Sequence, residues 1–568
     1  MRLAASRSSH TGSDHTLDTP IPFIDHRKET SINDLYAAVT TRRTPQSAPA
    51  DRRQELNHGG GYAFTVIELE RVKRFLILGS DAGTFYQGAG ELTREDAQAV
   101  IDLASTDGRA LVDLIVDVSV AGKAPKQDPA LLALAIAAAA SDAEVRAYAL
   151  EKLPDVARTG THLLTFARYI EQFRGWGRGL TRAVGVWYTG RPVDQVAYQA
   201  VKYRQRNGWS HRDLLRLAHP VTVEPARKAL FDWIVGREAA GLPRIVEGYL
   251  KAQDPAADVP ALVRAYRLTW DMLPDEALTR AATWDALLDV GIPQTALLRQ
   301  LPRLTRLGVV GALGQGRTAE IAAQLTDPER LRRARVHPVN LLVALRTYAS
   351  GRGKGSVWEP VTAIVDALDS AFYRAFEFVE PAGRRTLVGL DVSGSMGSPI
   401  DRTSGITARE VGAAMSLVIK ATEPQAEVYG FTAGTSLRGL FRSFVGATSF
   451  TDLGLSPKQR LDDVVRKVSD LPFGATDCAL PMTEALSRGL EVDTFVVITD
   501  NETWHGDIHP HQALRKYREQ TGIPARLVVL ALTPTRFTIA DPSDAGMLDI
   551  AGFSSDVPQL VTGFSRGF

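Results

Sequence analysis

Leu387-Val-Gly-Leu-Asp391-Val-Ser393-Gly-Ser395-Met396 is the stretch on which the fold turns. A short apolar run ends abruptly in a carboxylate, two hydroxyls on alternate residues, and glycine. In an open parallel sheet, ligands bind where strands reach their carboxyl edge. Aspartate and serine oxygens with no His or Cys among them suit a hard divalent cation, with Mg²⁺ the expected ion. The same string is compatible with an ordinary Asx or Ser turn after a strand. Two loops further along the chain decide between these readings.

Around this stretch the C-terminal third alternates strand-like and helical runs. Strands are expected at 386–390, 426–431, 494–499 and 526–532, with helical patterns at 407–422, 456–470, 477–488 and 509–520. Such alternation implies a mostly parallel sheet with helices on both faces, an α/β Rossmann-like domain over residues 384–568. The two loops then gain meaning. Gly474-Ala-Thr476-Asp477 precedes a helix, and Asp500-Asn501-Glu502-Thr503 comes directly after the strand at 494–499. Three loops from one sheet edge would bring Asp391, Ser393, Ser395, Thr476 and Asp500 together. Their oxygens make a reasonable Mg²⁺ shell with a position left open, which an acidic group of a partner would fill.

Upstream, from about Tyr62 to Phe376, apolar residues recur at helical spacing in segments of 12 to 15 residues joined by short turns. Segments are expected at 96–104, 109–121, 128–140, 142–153, 161–173, 192–206, 225–238, 259–272, 293–306, 337–349 and 358–376. Start signals include Asp128-Pro129, Ser141-Asp142, Ser210 before His211, and Glu224-Pro225. Stacked helix pairs of this kind make a HEAT-like α-solenoid with degenerate repeats, and a large irregular helical domain is the alternative.

Two segments of this array are unusually basic. The first is Arg174-Gly-Trp176-Gly-Arg178-Gly-Leu-Thr-Arg182. The second runs from Lys202-Tyr203-Arg204-Gln205-Arg206 through Trp209, His211 and Arg212 to Arg216 and His219. Lys202 and Arg206 are four apart and would share a helix face. Cations there attract phosphates, while Tyr, Trp and Arg planes stack on unpaired bases. The alternative is a solvated helix face with Tyr203 and Trp209 in the core. Gly351-Arg-Gly353-Lys354-Gly355-Ser356 lacks the phosphate-loop spacing and reads as a flexible basic connector.

At 568 residues the chain exceeds one core, and its formal net charge of +1 restricts any nucleic-acid binding to local patches. The single cysteine, Cys478, excludes an intramolecular disulfide and a Cys-rich zinc site, as suits a reducing cytosol. No run approaches the roughly 20 apolar residues that span a bilayer, so a soluble cytoplasmic protein without membrane contact is expected. Residues 1–56 read as a mobile N-terminal arm.

The set Asp391-x-Ser393-x-Ser395, Thr476 and Asp500 resembles the metal-ion-dependent adhesion site of von Willebrand factor A domains. Gly-Ala-Thr476-Asp477-Cys478-Ala-Leu-Pro481, Thr499-Asp500-Asn501-Glu502-Thr503 and Lys202-Tyr-Arg-Gln-Arg206-Asn207-Gly208-Trp209-Ser210-His211 look like the Ro autoantigen (TROVE-domain) family. So does Gly60-Gly61-Tyr62…Arg74-Phe75-Leu76-Ile-Leu-Gly79…Gly83-Thr84-Phe85-Tyr86. The likeness runs from about residue 57 to 568 and is greatest to the bacterial members. Ala475 stands where some relatives have glycine, and the arm carries no family motif.

The resemblance implies a multidomain protein: an all-α HEAT-like TROVE ring over 57–380, closed by a von Willebrand factor A domain over 384–568. It implies a monomeric ring whose basic outer surface binds a small Y RNA and whose hole admits single-stranded ends of misfolded or immature RNAs. Y RNA contacts then fall on Lys202, Arg206 and His219, with Arg204, His211, Arg174 and Arg178 added from the basic segments. Roles in RNA quality control, rRNA maturation and stress response are implied, with polynucleotide phosphorylase tethered through Y RNA. A non-catalytic protein is expected. The alternatives are a scaffold that holds an acidic protein through the cation, and a metal-dependent ribonuclease using Asp391 and Asp500. That enzyme would need a general base and usually a second metal.

Overall fold

The computed structural model describes residues 43–79, 89–353, 355–376, 379–400, 405–433, 449–457, 459–469, 471 and 474–567, with the backbone alone at 89–94 and 449. The expected arm up to Arg42, residues 83–86 of the opening motif, and Lys354 lie outside them. From Thr44 the chain is built into the C-terminal domain. Strands β1 (Gln54–Leu56) and β2 (Tyr62–Thr65) pair antiparallel, and β2 pairs again with Phe537 and Thr538.

From Glu68 to Arg374 short helices pack on one another. Asp128–Ala137 lies against Gly160–Phe173, Val259–Tyr266 against Ala281–Val290, and both Thr318–Thr326 and Pro338–Ala349 against Thr362–Arg374. Their starts obey the sequence signals: Asp142 caps Ala143–Glu151, and Ser210 and Asp213 form a capping box for His211–Ala218.

One expected helix is too long. The segment at 192–206 ends at Lys202, and a hairpin succeeds it, β3 (Gln205–Arg206) paired with β4 (Trp209–Ser210). Between them Asn207 (φ 52°) and Gly208 (φ 83°) are both left-handed. An Asn-Gly pair favours this two-residue turn because those two residues tolerate positive φ best. Lys202 and Arg206 therefore do not share a helix face. The Gly351 loop is likewise a hairpin, β5 (Arg352–Gly353) with β6 (Ser356–Val357).

The C-terminal strands are β7 (Thr386–Asp391), β8 (Ala426–Thr432), β9 (Ser449–Asp452), β10 (Thr494–Thr499), β11 (Arg526–Ala531), β12 (Phe537–Thr538) and β13 (Met547–Ala551). Six of them form a sheet in the order β13-β11-β10-β7-β8-β9, parallel except for β9 at one edge. β7 and β10 are buried at every residue, which is why they read as continuous apolar runs rather than alternating ones. β7 has its successor in the chain, β8, on one side and β10 on the other. The strand order reverses there, so the loops after β7 and β10 open side by side.

Both ends of the helical array dock on this domain. Arg74, in helix Glu68–Leu78, is buried and donates to both carboxylate oxygens of Asp549 on β13, at 2.7 and 2.6 Å. It also donates to the carbonyls of Thr535 and Phe537 at 2.5 and 2.7 Å. At the other end Tyr373 donates to the Gln459 carbonyl at 2.9 Å, and Asp369 accepts from the Leu461 amide at 3.0 Å. The ends also meet each other, Arg335 donating to the Val120 carbonyl. The array thus returns on itself, the closure that a ring requires. Among the described residues no helix is long and apolar enough to cross a membrane.

Candidate nucleic-acid interface and metal centre

The β3–β4 hairpin brings the two basic segments together. Asn207 donates to Thr165 Oγ1 at 3.2 Å and the Trp209 indole to Glu171 at 3.3 Å, fixing the hairpin on helix Gly160–Phe173. The Trp209 ring then lies 5.6 Å from Trp176, centroid to centroid. Helix Arg178–Thr189 packs against His211–Ala218. Arg178 and Arg182, Arg206 on the hairpin, and Arg212 and Arg216 are all exposed on these adjoining elements. Among the described residues none of these five arginines forms an ion pair, whereas Arg168 beside them pairs with Glu171. An open groove of about 810 Å³, lined by Trp176, Arg178, Arg182 and Val221, runs along the same elements.

The other expected contacts divide. His219 is exposed, left-handed (φ 42°) at the end of its helix. Arg204 is exposed and donates to the Tyr249 hydroxyl at 2.6 Å. Arg174 is half-buried, its guanidinium on the Ala138 carbonyl at 2.9 Å, so it ties down a helix end. Lys202 is mostly buried, with Nζ 3.1 Å from the Tyr198 hydroxyl and 3.4 Å from Asp271. Burial alone would lower its pKa, but Tyr198 and Asp271 override this and raise it. Its charge is thus permanent and already partnered. His211 corrects the sequence reading. It is 2 % exposed, its Nδ1 lies 2.6 Å from the Tyr188 hydroxyl, and burial pushes its pKa down to about 4. It is a neutral core residue beneath the surface.

At the sheet edge Asp391, Ser393, Ser395, Thr476 and Asp500 are all buried. Asp391 accepts from the Ser393 amide at 2.9 Å and from Thr499 Oγ1 at 2.8 Å. The Ser393 and Ser395 hydroxyls are 3.1 Å apart, and Ser395 acts on Asp500 to favour its charged form. The Thr476 loop is tied to the same place. Its carbonyl accepts from the Trp504 and His505 amides at 3.2 and 3.0 Å, and Ala475 pairs with Ala433. Gly474 is required there, since a Cβ would lie 2.0 Å from the Ala433 carbonyl oxygen.

Two buried carboxylates share this small volume. Burial raises the pKa of Asp391, and burial together with the Asp391 charge pushes Asp500 up to about 7. Arg409 opposes the rise at Asp391, and its Nη2 donates to the carbonyls of Val392 and Ser393. Among the described residues no group of three His, Cys, Asp or Glu is arranged to hold a metal ion, so hydroxyls must complete any shell. The neighbouring Cys478 thiol is pushed well above its usual pKa by burial and does not compete as a thiolate. The donor set that remains, carboxylate and hydroxyl oxygen, fits a hard divalent cation.

A family model described as the TROVE domain matches residues 55–240 and 265–349, and one described as the Ro60 vWA domain matches residues 385–565. The chain belongs to the Ro60 family. It is 40% identical to the RNA-binding protein RO60 of Deinococcus radiodurans over 94% of this chain and all of that one. It is 35% identical to the RNA-binding protein RO60 of Caenorhabditis elegans, with 90% of each covered. The crystal structure of the Deinococcus radiodurans RO (RSR) protein superposes with a TM-score of 0.64 at 39% identity, covering 88% of this chain and 99% of that one.

This Ro-family site also contains residues outside the expected ligand set. Thr499 orients Asp391, and Arg409 holds the loop after β7 by its carbonyls. Glu502, wholly buried, accepts from the amides of His58 and Gly59 at 3.0 and 3.3 Å, and its other oxygen lies 2.9 Å from His58 Nδ1. Glu502 raises the pKa of His58. These partners lie more than 400 residues apart, and no local pattern announces them.

Proposed function

We propose that this chain is a non-catalytic RNA-binding ring of the cytoplasm. It binds a small structured Y RNA on the face carried by Arg178, Arg182, Arg206, Arg212, Arg216 and His219, and single-stranded ends of misfolded or precursor RNAs in its hole. That activity places it in RNA quality control, rRNA maturation and the stress response, as a monomeric ring to which Y RNA tethers polynucleotide phosphorylase. One observation carries the reading: five exposed arginines with no carboxylate partner among the described residues, on the adjoining elements beside the Trp176–Trp209 pair, in a chain of net charge +1. Unpaired guanidinium groups next to aromatic planes suit phosphates and unstacked bases. The relatives' name, RNA-binding protein RO60, supports the same conclusion.

The sheet edge takes the second role. Asp391, Ser393, Ser395, Thr476 and Asp500 hold a divalent cation, Mg²⁺, whose open position receives an acidic group of a partner. Hydrolysis is disfavoured because two carboxylates completed by hydroxyls suit one cation rather than the usual pair of metals, and two of the nearby bases are engaged, Glu502 by His58 and His509 by Gln54 and the Ala48 carbonyl. Sequencing RNA crosslinked to the protein in its own cells tests the proposal. Small structured non-coding RNAs should be recovered, and their yield should collapse when Arg178 and Arg206 are replaced by glutamine. Recovery of bulk messenger RNA at unchanged yield refutes the assignment, and Mg²⁺-dependent cleavage of RNA lost in Asp391→Ala refutes the non-catalytic reading.

A further inference from the structure

The loops that carry Thr476 and Asp500 are clamped from outside by residues 44–65. Gln46 is wholly buried. Its carboxamide nitrogen donates to Asp477 Oδ1 at 2.6 Å and to the Ile508 carbonyl at 2.9 Å, and its oxygen accepts from the Thr503 hydroxyl. Its own amide donates to the Gly506 carbonyl at 3.0 Å, while its carbonyl accepts from the Tyr62 amide at 2.8 Å. One side chain therefore bridges the residue after Thr476 and the loop after Asp500. While the Thr503 hydroxyl donates to Gln46, its oxygen accepts from the Cys478 amide at 3.2 Å, which joins the same two loops again.

The rest of the segment presses on the same loop. Asn57 Nδ2 donates to the Thr503 carbonyl at 2.6 Å, and Asn57 Oδ1 accepts from the Gly61 amide at 2.9 Å. Gly61 lies so close that a Cβ would come within 2.2 Å of the Thr503 carbonyl oxygen. Glu502, whose amide donates to Asp500 Oδ1 at 3.1 Å, is held by the His58 and Gly59 amides.

We infer that residues 44–65 are a positioning strap for the cation site, with Gln46 as its key residue. The inference rests on the reading of the Asp391 set as a cation site. A binding constellation must be held to within about 0.5 Å by residues behind it, and removing such support costs about 10–100-fold in metal affinity. The strap supplies that support for two of the five ligands from the far end of the sequence. The domain at 384–568 is incomplete as a cation binder without it.

The test titrates full-length protein with Mn²⁺, reading free Mn²⁺ by electron paramagnetic resonance. Wild type should bind and Asp391→Ala should not. Gln46→Ala should bind about 10–100-fold more weakly, with faster hydrogen exchange across 500–508. Asn57→Asp, which keeps the acceptor for Gly61 and loses the donor to Thr503, should weaken binding in the same direction and decides the matter if Gln46→Ala does not fold. Arg53→Ala, on the outer side of the strap, should match wild type, as should RNA affinity measured in EDTA for every variant. Wild-type Mn²⁺ affinity in folded Gln46→Ala and Asn57→Asp overturns the strap alone. Wild-type protein that takes up no Mn²⁺ overturns the cation reading and the strap with it.

Discussion

The unpaired arginines fix how strongly RNA binding depends on salt. Each phosphate neutralised releases condensed counterions, giving a slope of log affinity against log salt of about −0.7 to −0.9 per contact. With Arg178, Arg182, Arg206, Arg212 and Arg216 all engaged, the slope is about −3.5 to −4.5, a loss of roughly 130–500-fold between about 50 and 200 mM KCl. Replacing Arg178 and Arg206 by glutamine removes two contacts. The slope then falls to about −2.1 to −2.7 and the loss to roughly 20–40-fold. Lys202 serves as the contrast. Its ammonium is held 3.4 Å from Asp271, so a phosphate must displace an existing pair. Lys202→Gln should change the slope by roughly half a unit or less and should lower the melting temperature, since it strands a mostly buried Asp271. Fluorescence anisotropy with a labelled small structured RNA across that salt range measures both slopes. A double arginine variant with the wild-type slope, or a Lys202 variant with the larger change, refutes the reasoning.

Other outcomes stem from the packing and the buried charges. Arg74→Met strands Asp549 and two carbonyls and should cost about 3–5 kcal/mol, read in denaturant melts; a loss near zero would mean that the Arg74–Asp549 junction does not hold the array to the sheet. Gly61→Ala should displace the strap from Thr503, seen as faster hydrogen exchange at 500–508, and unaltered exchange contradicts the close approach. His211 protonates near 6.5 when unfolded and at about 4 when folded, so its contribution of about 3 kcal/mol is present above pH 6.5 and lost as pH falls to 4. His211→Gln should therefore flatten the stability profile between those limits, although His162, His337 and His511, also pushed to about 4 by burial, keep it from vanishing. An unchanged profile counts against the buried neutral ring. Mg²⁺ at a hundredfold excess over its dissociation constant should stabilise wild type by about 2.7 kcal/mol and leave Asp391→Asn unmoved, with calorimetry the measure; equal responses exclude the site.

The C-terminal domain was the most legible part of the chain. Strands buried on both faces must be apolar without interruption, so β10 was bounded correctly at Thr494 and Thr499 and β7 to within one residue. β9 and β13 escaped because edge strands are short and lack that run, and Met547–Ala551 is only partly buried. In the helical region the 3.6 periodicity located most helices but overran Lys202, where the Asn207-Gly208 turn was the unread signal. The five residues of the expected cation set sit at one sheet edge because Asp391 ends β7, Ser393 and Ser395 follow it, Asp500 follows β10, and the Thr476 carbonyl is tied to the loop after Asp500. Gln46, Asn57 and His58 were not found. They act through contacts that span most of the chain, and polar residues near a Gly-rich stretch look the same whether free or clamped. His211 failed for the opposite reason: a histidine in a basic segment carries no mark of the Tyr188 pocket that buries it.

The strap also orders events in time. Gln46 and Thr503 are separated by 457 positions, so at 5–20 residues per second a ribosome delivers the first roughly 20–90 s before the second. Throughout that interval the helices exist as an open chain of pairs. Arg74 waits for Asp549, Asp369 waits for Leu461, and the strap has no surface to lie on. Closure therefore waits until the domain at 384–568 has been made. A polynucleotide lying across the array before then would be enclosed when that domain docks, with no free end to thread.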